Sequence, residues 1–291
     1  MAHKIEIDKI VATSIGLLEA NSVLGNKVFR DAETSFNGGV GDEVTVTLPQ
    51  VIDAKVLDDE GTKYSDINEL DFKVKLTDEA YNAVKLNDRQ LNFGIRDFGR
   101  QVLQPQASGV AKHCEKAVAG VLNEAIASDG SKSKFPKAEA ISKAKPLAAL
   151  AKASAEMTKR EIPEEGRILA IGPELKEAFL GLESLQNASF AGDAQVITNG
   201  TLGRVLGFEV VVSPFITGGA VAFTEEAVAL AVRAPGAPAG TDAAAMTHNG
   251  FALMAARQFV MDQQKTVSLM KTFVGATPLD TNRMVALKAA A

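Results

Sequence analysis

The chain has 291 residues, enough for one or two domains with a sizeable core, and its 46% apolar and 23% charged residues are those of an ordinary globular protein. The net charge of −5 argues against a protein dedicated to neutralising DNA, and an aromatic content of 5% without tryptophan argues against a stacking platform for single-stranded nucleic acid. The single cysteine, Cys114, excludes an intramolecular disulfide and a thiolate metal cluster, and no apolar run approaches the roughly 18 residues of a membrane span.

The first predicted element is an amphipathic helix over residues 7–20, with Asp8 as a suitable cap. A polar, glycine-rich segment follows at 35–42, so the helix and its tether have the form of a terminal arm. The apolar side of this helix needs a surface to cover it. Its members are Ile7, Ile10, Val11, Ile15 and Leu18.

Two strands with alternating apolar and polar residues are predicted next, at 44–48 and 72–76. An acidic, turn-rich segment at 58–65 separates them, which favours a long hairpin with a wide tip. A two-stranded ribbon is only marginally stable alone in water, so we expect its apolar face to lie on another surface, of this chain or of a neighbour. That face comprises Val44, Val46, Leu48, Phe72, Val74 and Leu76.

The clearest helix covers residues 106–127, where apolar residues recur at i, i+3 and i+4 spacing. Pro105 either starts this helix or kinks a longer one that begins near Asp97. The polar segment 128–145 is predicted to be a linker or an exposed segment. Lysines outnumber acids over 132–160, and we interpret them as an exposed face, with contact to DNA, an acidic neighbour or an assembly partner as the alternative.

The rest of the chain mixes helices and strands and then ends in strands. Because their order is not the regular alternation of a doubly wound sheet, we predict an α+β fold in which the late strands return to the long helix. The predicted elements are a helix at 146–159, a strand at 167–171, a helix at 173–181, strands at 208–212, 220–223 and 227–232, a loop at 234–246, and strands within 258–261, 266–273 and 284–287.

No motif of catalysis, metal binding or cofactor binding is recognisable. Gly38–Gly41 lacks the Gly-Lys-Ser/Thr of a phosphate loop and precedes a strand where a helix should begin. His113 and Cys114 are adjacent on the long helix, so they diverge by about 100° and do not form a dyad. We therefore predict no catalytic residue, no metal site and no cofactor, and Cys114 is interpreted as a small core hydrophobe.

The segment Gly166–Pro214 contains a strand that ends in a Gly-Pro break, a helix, and a glycine-punctuated turn into a second strand. This arrangement resembles the major capsid proteins of tailed bacteriophages, which have the Hong Kong 97-like fold. Further segments resemble that family in the same order along the chain. They are Gly41–Val46, Lys75–Ala80, residues 97–127, Phe223–Arg233, Thr272–Ala276 and Asn282–Lys288.

The resemblance implies a structural protein, not an enzyme, whose pentamers and hexamers build an icosahedral virion shell around double-stranded DNA. It also implies assembly in the host bacterial cytoplasm, portal and scaffolding proteins as partners, a decoration protein as a further candidate, and weak, non-specific DNA contact without a membrane. The family's parts map onto an N-terminal arm at 1–40, an extended hairpin loop at 41–76, a peripheral domain at 77–138 and 246–291, and an axial domain at 139–245.

Under this resemblance the hairpin lies over the neighbouring subunit, and the arm adds further contacts. Some family members join neighbours by a Lys–Asn isopeptide bond assisted by a Glu. Lys63 lies at the expected tip of the hairpin, but no Glu follows Glu226, so we do not expect that bond here. The intersubunit contact candidates are Ile7, Ile10, Val11, Val44, Val46, Leu48, Lys63, Phe72, Val74 and Leu76.

Two other functions stay open from the sequence. An encapsulin has the same fold and encloses protein cargo in a cell, although the long arm and hairpin favour the virus. An α+β enzyme or small-molecule-binding protein would need a convergent polar site, and the sequence shows none.

Overall fold

The computed structural model describes residues 7–30, 43–48, 54, 70–87, 99–130, 134–182, 202–238 and 241–289. In this part of the chain, helices and two large sheets pack together, which confirms the α+β class. None of the helices described there is both long and apolar enough to cross a membrane. The α-helices are α1 Ile7–Asn21, α2 Gln104–Ala127, α3 Pro146–Lys159 and α4 Pro173–Leu180.

Helix α2 begins inside a longer helical segment. A five-residue π-helical turn, Gly99–Leu103, leads directly into it, and Leu103 at the junction has α-helical dihedral angles (φ −70°, ψ −42°). Pro105 lies in the first turn of α2, and its missing N–H removes one backbone donor where the π-helical turn meets the α-helix. The helical segment therefore begins before Pro105, as in the longer of the two predicted helices, and the expected start near Asp97 lies outside the described residues.

The first large sheet has five strands. Its order is β10-β11-β12-β3, and β9 pairs with the far end of β12, so the long strand β12 pairs with three strands: β11, β3 and β9. Helices α1 and α2 pack on this sheet. Its strands are β3 Asp78–Asn87, β9 Val228–Arg233, β10 Asp242–His248, β11 Phe251–Val260 and β12 Lys265–Pro278.

The second large sheet has six strands in the order β4-β13-β8-β5-β7-β6. Alternate residues of β5 face two different layers. Ile168 and Ala170 belong to the main core with α2, whereas Leu169 and Ile171 belong to a second core with α3 and α4. Its strands are β4 Glu139–Ile141, β5 Ile168–Ile171, β6 Arg204–Val205, β7 Phe208–Val212, β8 Gly219–Phe223 and β13 Met284–Ala289.

Helix α2 contacts both sheets. Near its start, buried Gln106 donates Nε2–H to the carbonyl oxygens of Asn82 (3.1 Å) and Ser268 (3.0 Å) in the five-stranded sheet. Near its end, the Asn123 side chain bonds to the backbone of Phe215 and Thr217, beside the six-stranded sheet. A 24-residue helix is about 36 Å long, which is sufficient to span the two.

The predicted hairpin forms from β1 Glu43–Leu48 and β2 Leu70–Lys75, paired antiparallel with Val44 opposite Val74. Its base lies on this chain and not on a neighbour. Val74 is fully buried with Ala229, Ala231 and Leu279, which come from β9 and the turn after β12. Gly275 permits this approach, because a Cβ on it would collide with the carbonyl of Lys75.

Three sequence interpretations were wrong in detail. The expected loop at 234–246 contains the start of β10 at Asp242, and the expected linker at 128–145 contains β4. The predicted strand at 72–76 corresponds to β2, and the separate strand that follows it, β3 Asp78–Asn87, was not predicted from the residue pattern. The sequence of β10 begins Asp-Ala-Ala-Ala, residues of weak strand propensity, and pairing with β11 determines its conformation.

The strand order departs from the predicted domain boundaries at β9, at β13 and at β10, whose first residues fall within 139–245 although β10 pairs with β11 in the five-stranded sheet. Strand β9 falls within 139–245 but pairs with β12 in the five-stranded sheet. Strand β13 falls within 246–291 but pairs with β4 and β8 in the six-stranded sheet. The chain passes between the two large sheets through α2 and through two short turns, which we call the crossovers: the β8–β9 turn around Thr224 and the β12–β13 turn around Asp280.

We expect Leu122→Ala in α2 to lower the free energy of unfolding by about 2–5 kcal/mol, because Leu122 is fully buried in the main core and its removal leaves a cavity. Urea denaturation followed by circular dichroism measures this change. Exposed Glu124 on the same helix provides the control, since Glu124→Ala should change stability by no more than about 0.5 kcal/mol. Equal effects of the two substitutions would contradict the packing described for α2.

Candidate functional site

The two groups considered for chemistry on α2 face different surroundings. His113 Nε2 lies 2.9 Å from Asp78 Oδ2 at a partly exposed position, whereas Cys114 is completely buried. Burial, with the charge of neighbouring Glu115, raises the pKa of the Cys114 thiol to about 12, so the thiol is protonated at neutral pH. In the described residues no three His, Cys, Asp or Glu side chains are placed to hold a metal ion.

The N-terminal helix is buried within its own chain. Ile10 is 6% exposed and Val11 is 0% exposed, and both belong to the main core with α2 and β11. These two intersubunit candidates therefore present almost no surface to a neighbour in this conformation. The side chain of Ile7 lies outside the described residues, and its contact with a neighbour stays a prediction.

A buried carboxylate fixes the chain just after α1. Glu115 Oε1 accepts hydrogen bonds from Ser22 Oγ (2.9 Å), Leu24 N (2.8 Å) and Gly25 N (3.1 Å). The N–H groups of Leu24 and Gly25 lie at the start of a 3-10 turn, Gly25–Lys27. The first N–H groups of a helical turn have no acceptor within the turn, so Glu115 satisfies them. Gly25 is required because a Cβ there would lie 2.3 Å from Ser22 Oγ. These contacts thus determine the position of residues 22–25, immediately after α1.

Glu115 was missed by the sequence interpretation, although the sequence contains a signal for it. It lies four residues after Ala111 and three before Val118, on the apolar face of the predicted helix. A carboxylate on a buried face needs hydrogen-bond donors from elsewhere in the structure. The pattern indicates that such donors exist, but not that they come from residues 90 or more positions away.

The hairpin candidates divide into a covered base and an outer part. Val74 is buried, and Phe72 and Leu76 are partly buried against the same small cluster. The side chains of Val44, Val46 and Leu48 lie outside the described residues, as does Lys63 at the expected tip. The backbone register nevertheless places Val46 opposite Phe72 and Leu48 opposite Leu70, so these pairs share the face of the Val44–Val74 pair.

The lysine-containing segment forms a mixed surface. Lys143, Lys145 and Lys152 are exposed, in agreement with the first interpretation. Helix α4 contributes acids nearby, and Lys143 Nζ lies 2.8 Å from Glu174 Oε2, which raises the pKa of Lys143. This ion pair neutralises one of the positive charges of the surface.

A model of the phage capsid protein family matches residues 71–237, which is more than half of the chain. The chain therefore belongs to the phage capsid protein family, whose members are structural proteins of the virion capsid. The matched range begins in the hairpin and ends after β9, so it includes α2 and most of the six-stranded sheet. No curated protein matches the chain in sequence.

Solved structures show the same fold over most of the chain. A chain of Mycobacterium phage Che8 has a TM-score of 0.61 at 18% identity, with 91% of this chain and 90% of that chain covered. The capsid of cyanophage P-SCSP1u gives 0.62 at 15% identity, covering 86% and 84%. The virus-like particle from Pyrococcus furiosus gives 0.56 at 13% identity, covering 97% and 98%. These similarities confirm the Hong Kong 97-like fold that the sequence predicted.

We expect Glu115→Ala to lower the free energy of unfolding by about 3 kcal/mol, because it leaves buried donors of Leu24 and Gly25 without an acceptor. Glu115→Gln retains an acceptor oxygen and should lose much less. Hydrogen exchange of the amides of residues 24 and 25 reports the effect directly, and Glu124→Ala serves as the control. Slow exchange at both amides in Glu115→Ala would refute the anchoring role.

The Cys114 thiol should resist alkylation by iodoacetamide at pH 8 in the folded chain, since a pKa of about 12 leaves almost no thiolate and burial blocks access. In urea the pKa returns towards its ordinary value and the thiol should react quickly. Mass spectrometry of the modified chain measures both rates. Similar rates in the two conditions would show that the thiol is exposed.

Proposed function

We propose that this chain is a major capsid protein whose pentamers and hexamers form an icosahedral shell around double-stranded DNA. The observation that carries the proposal is the similarity of the fold to the cyanophage capsid across 86% of the chain, together with the family match. A protein with this role acts through its surfaces. The absence of a recognisable reactive group on α2 is consistent with such a role.

The hairpin supports contact between subunits. Its base is anchored on β9 and β12, which sets the direction in which the ribbon leaves the chain. From Val74 to Leu70 the apolar face extends by about 13 Å at roughly 3.3 Å per residue. A two-stranded ribbon needs a surface to cover such a face, and a neighbouring subunit provides one.

The sheets support a division into two bodies within each subunit. The five-stranded sheet with α1 and α2 corresponds to the peripheral domain, and the six-stranded sheet with α3 and α4 corresponds to the axial domain. In this proposal β9 and β10 join the peripheral domain and β13 joins the axial domain, which changes the boundaries expected from the sequence. The arm keeps its role only for residues outside the buried part of α1.

The remaining partners follow from a shell that packages DNA. Portal and scaffolding proteins would serve assembly in the cytoplasm of a host bacterium, and a decoration protein would bind the outer surface. Contact with DNA would be weak and non-specific, because the chain carries a net charge of −5. Cohesion between subunits would come mainly from apolar contact, since each exposed ion pair contributes only about 0–1 kcal/mol.

A cellular compartment of the encapsulin type is the second candidate. The similarity to the virus-like particle from Pyrococcus furiosus, which covers 97% of this chain, favours it. Purification of the expressed chain, followed by negative-stain microscopy, tests whether closed shells or rings form at all. The contents then separate the candidates: particles isolated from an infected host should hold double-stranded DNA, whereas a compartment should hold a co-purified protein.

We expect the double substitution Val46→Asp and Leu48→Asp to reduce the yield of shells roughly tenfold or more, because it introduces two charges into the apolar face of the hairpin. Sedimentation velocity measures the fraction of assembled protein. The matched control is Thr45→Asp with Thr47→Asp, which adds the same charges to the opposite face of the same strand. Both variants should unfold at the wild-type temperature, and normal shells from the first variant would exclude the hairpin as an intersubunit contact.

A further inference from the structure

A pocket of about 390 Å³ lies where the two large sheets join. Both crossovers between the sheets contribute to its wall, through Thr224–Glu226 of the β8–β9 turn and Arg283 of the β12–β13 turn. The backbone N–H of Thr224 donates to the carbonyl of Arg283 at 3.3 Å, so the two crossovers are bonded to each other. The chain after α1 closes another side with Asn26 and Lys27.

The lining of this pocket has more negative than positive charge. The lining contains four glutamates and two basic residues, and each basic residue already forms an ion pair with a glutamate. Lys27 Nζ lies 2.6 Å from Glu209 Oε1, and Arg283 Nη1 lies 2.6 Å from Glu226 Oε2. The other two glutamates, Glu165 and Glu225, are exposed and form no ion pair with any described residue.

A buried hydroxyl gives a second, independent indication of a ligand. Thr224 lines the pocket with 8% of its surface exposed, and its Oγ1 has no hydrogen-bond partner among the described residues. Buried polar side-chain atoms are normally bonded, so an unpartnered one requires an explanation. Because Oγ1 has almost no accessible surface, a ligand that donates hydrogen bonds would supply the missing partner after the Thr224 side chain rotates towards the pocket.

The chemistry of the lining favours an ammonium group. Carboxylates and a hydroxyl all accept hydrogen bonds, and a lysine ammonium has three donors and no acceptor. A metal ion fits less well, since the described residues contain no group of three or more His, Cys, Asp and Glu arranged as ligands. An ammonium also neutralises part of the negative charge of Glu165 and Glu225.

The charges on this protein favour a second copy of the chain as the source of the ammonium group. Most described arginines donate to their own chain, as Arg30, Arg160 and Arg167 do. Lys145 and Lys152 at α3 are instead exposed and form no ion pair with a described residue. Head-to-tail rings require two different, complementary surfaces on each subunit, and an acidic pocket with a lysine-bearing face meets that requirement.

We propose that this pocket binds a lysine side chain of a neighbouring copy, held by Glu165, Glu225 and Thr224 Oγ1. The inference rests on the proposed shell function and adds a specific contact to it. Because both inter-sheet crossovers form the pocket, the bound lysine would also fix the two sheets relative to each other when the subunits assemble.

Carbodiimide crosslinking of assembled protein tests the contact. Shells are prepared from an equal mixture of ¹⁴N- and ¹⁵N-labelled chains, so that mass spectrometry distinguishes links between copies from links within one chain. We expect amide links of Glu165 or Glu225 to a lysine, with mixed isotope labels. Shells that give only unmixed links at these glutamates, or none, would overturn the inference while leaving the shell function intact.

The effect of substitutions on the protein concentration needed for assembly provides a quantitative test. Glu165→Gln with Glu225→Gln should raise the protein concentration needed for assembly about fivefold or more, whereas exposed Glu164→Gln in the same loop, outside the pocket, should not. The double variant should keep the wild-type melting temperature as a single chain. Unchanged assembly of the double variant would overturn the proposal.

A free amine is the remaining source of the same chemistry. Stabilisation of the unassembled wild-type chain by spermidine, absent in the double variant and without any mixed-label link, would assign the pocket to a small cation and overturn the proposed contact between copies. Failure of the wild-type chain to form rings or shells under any condition would instead contradict the proposed function, and this inference with it.

Discussion

The burial of one helix between two sheets is the constraint on which the rest of the structure depends. Helix α2 contributes Val110, Cys114, Val118 and Leu122 to a single core that also contains residues from both large sheets. Because the helix is rigid and about 36 Å long, its two halves determine where each sheet lies. The crossovers of β8–β9 and β12–β13 can then be short, since the sheets they connect are already held side by side.

Buried hydrogen bonds determine the exact relative positions of elements that apolar packing alone would not define. Apolar surfaces attract without direction, so a core of alanine, valine and leucine would tolerate small shifts of its elements. Gln106 ties α2 to β3 and β12, and Glu115 ties it to the chain after α1. Each contact joins a buried side chain to backbone groups, which permits only a narrow range of positions. The position of α2 on the five-stranded sheet and the path of the chain after α1 follow from these contacts.

A shell protein must present different surfaces to successive neighbours, and this fold separates them along the chain. The hairpin has an apolar face that extends beyond its buried base, whereas the pocket between the sheets is acidic and the α3 surface carries exposed lysines. Apolar contact supplies most of the attraction in such an assembly, and charged contact selects the correct partner surface and register. The two kinds of contact therefore have complementary roles in the proposed shell.

The sequence by itself determined the elements whose periodicity is strong. The apolar spacing of α1 and α2 and the alternation in 44–48 and 72–76 were sufficient for two helices and a hairpin, since these patterns arise from local geometry. Tertiary structure decided what covers each face: Val74 looked available to a neighbour but is buried on its own chain, and alanine-rich β10 forms a strand only because β11 pairs with it. Tertiary structure also created the proposed lysine-binding pocket. Its lining residues Lys27, Glu165, Thr224 and Arg283 are distant in sequence and come together only after both sheets have formed. No local pattern encodes such a meeting, since it depends on contacts between residues far apart in the chain.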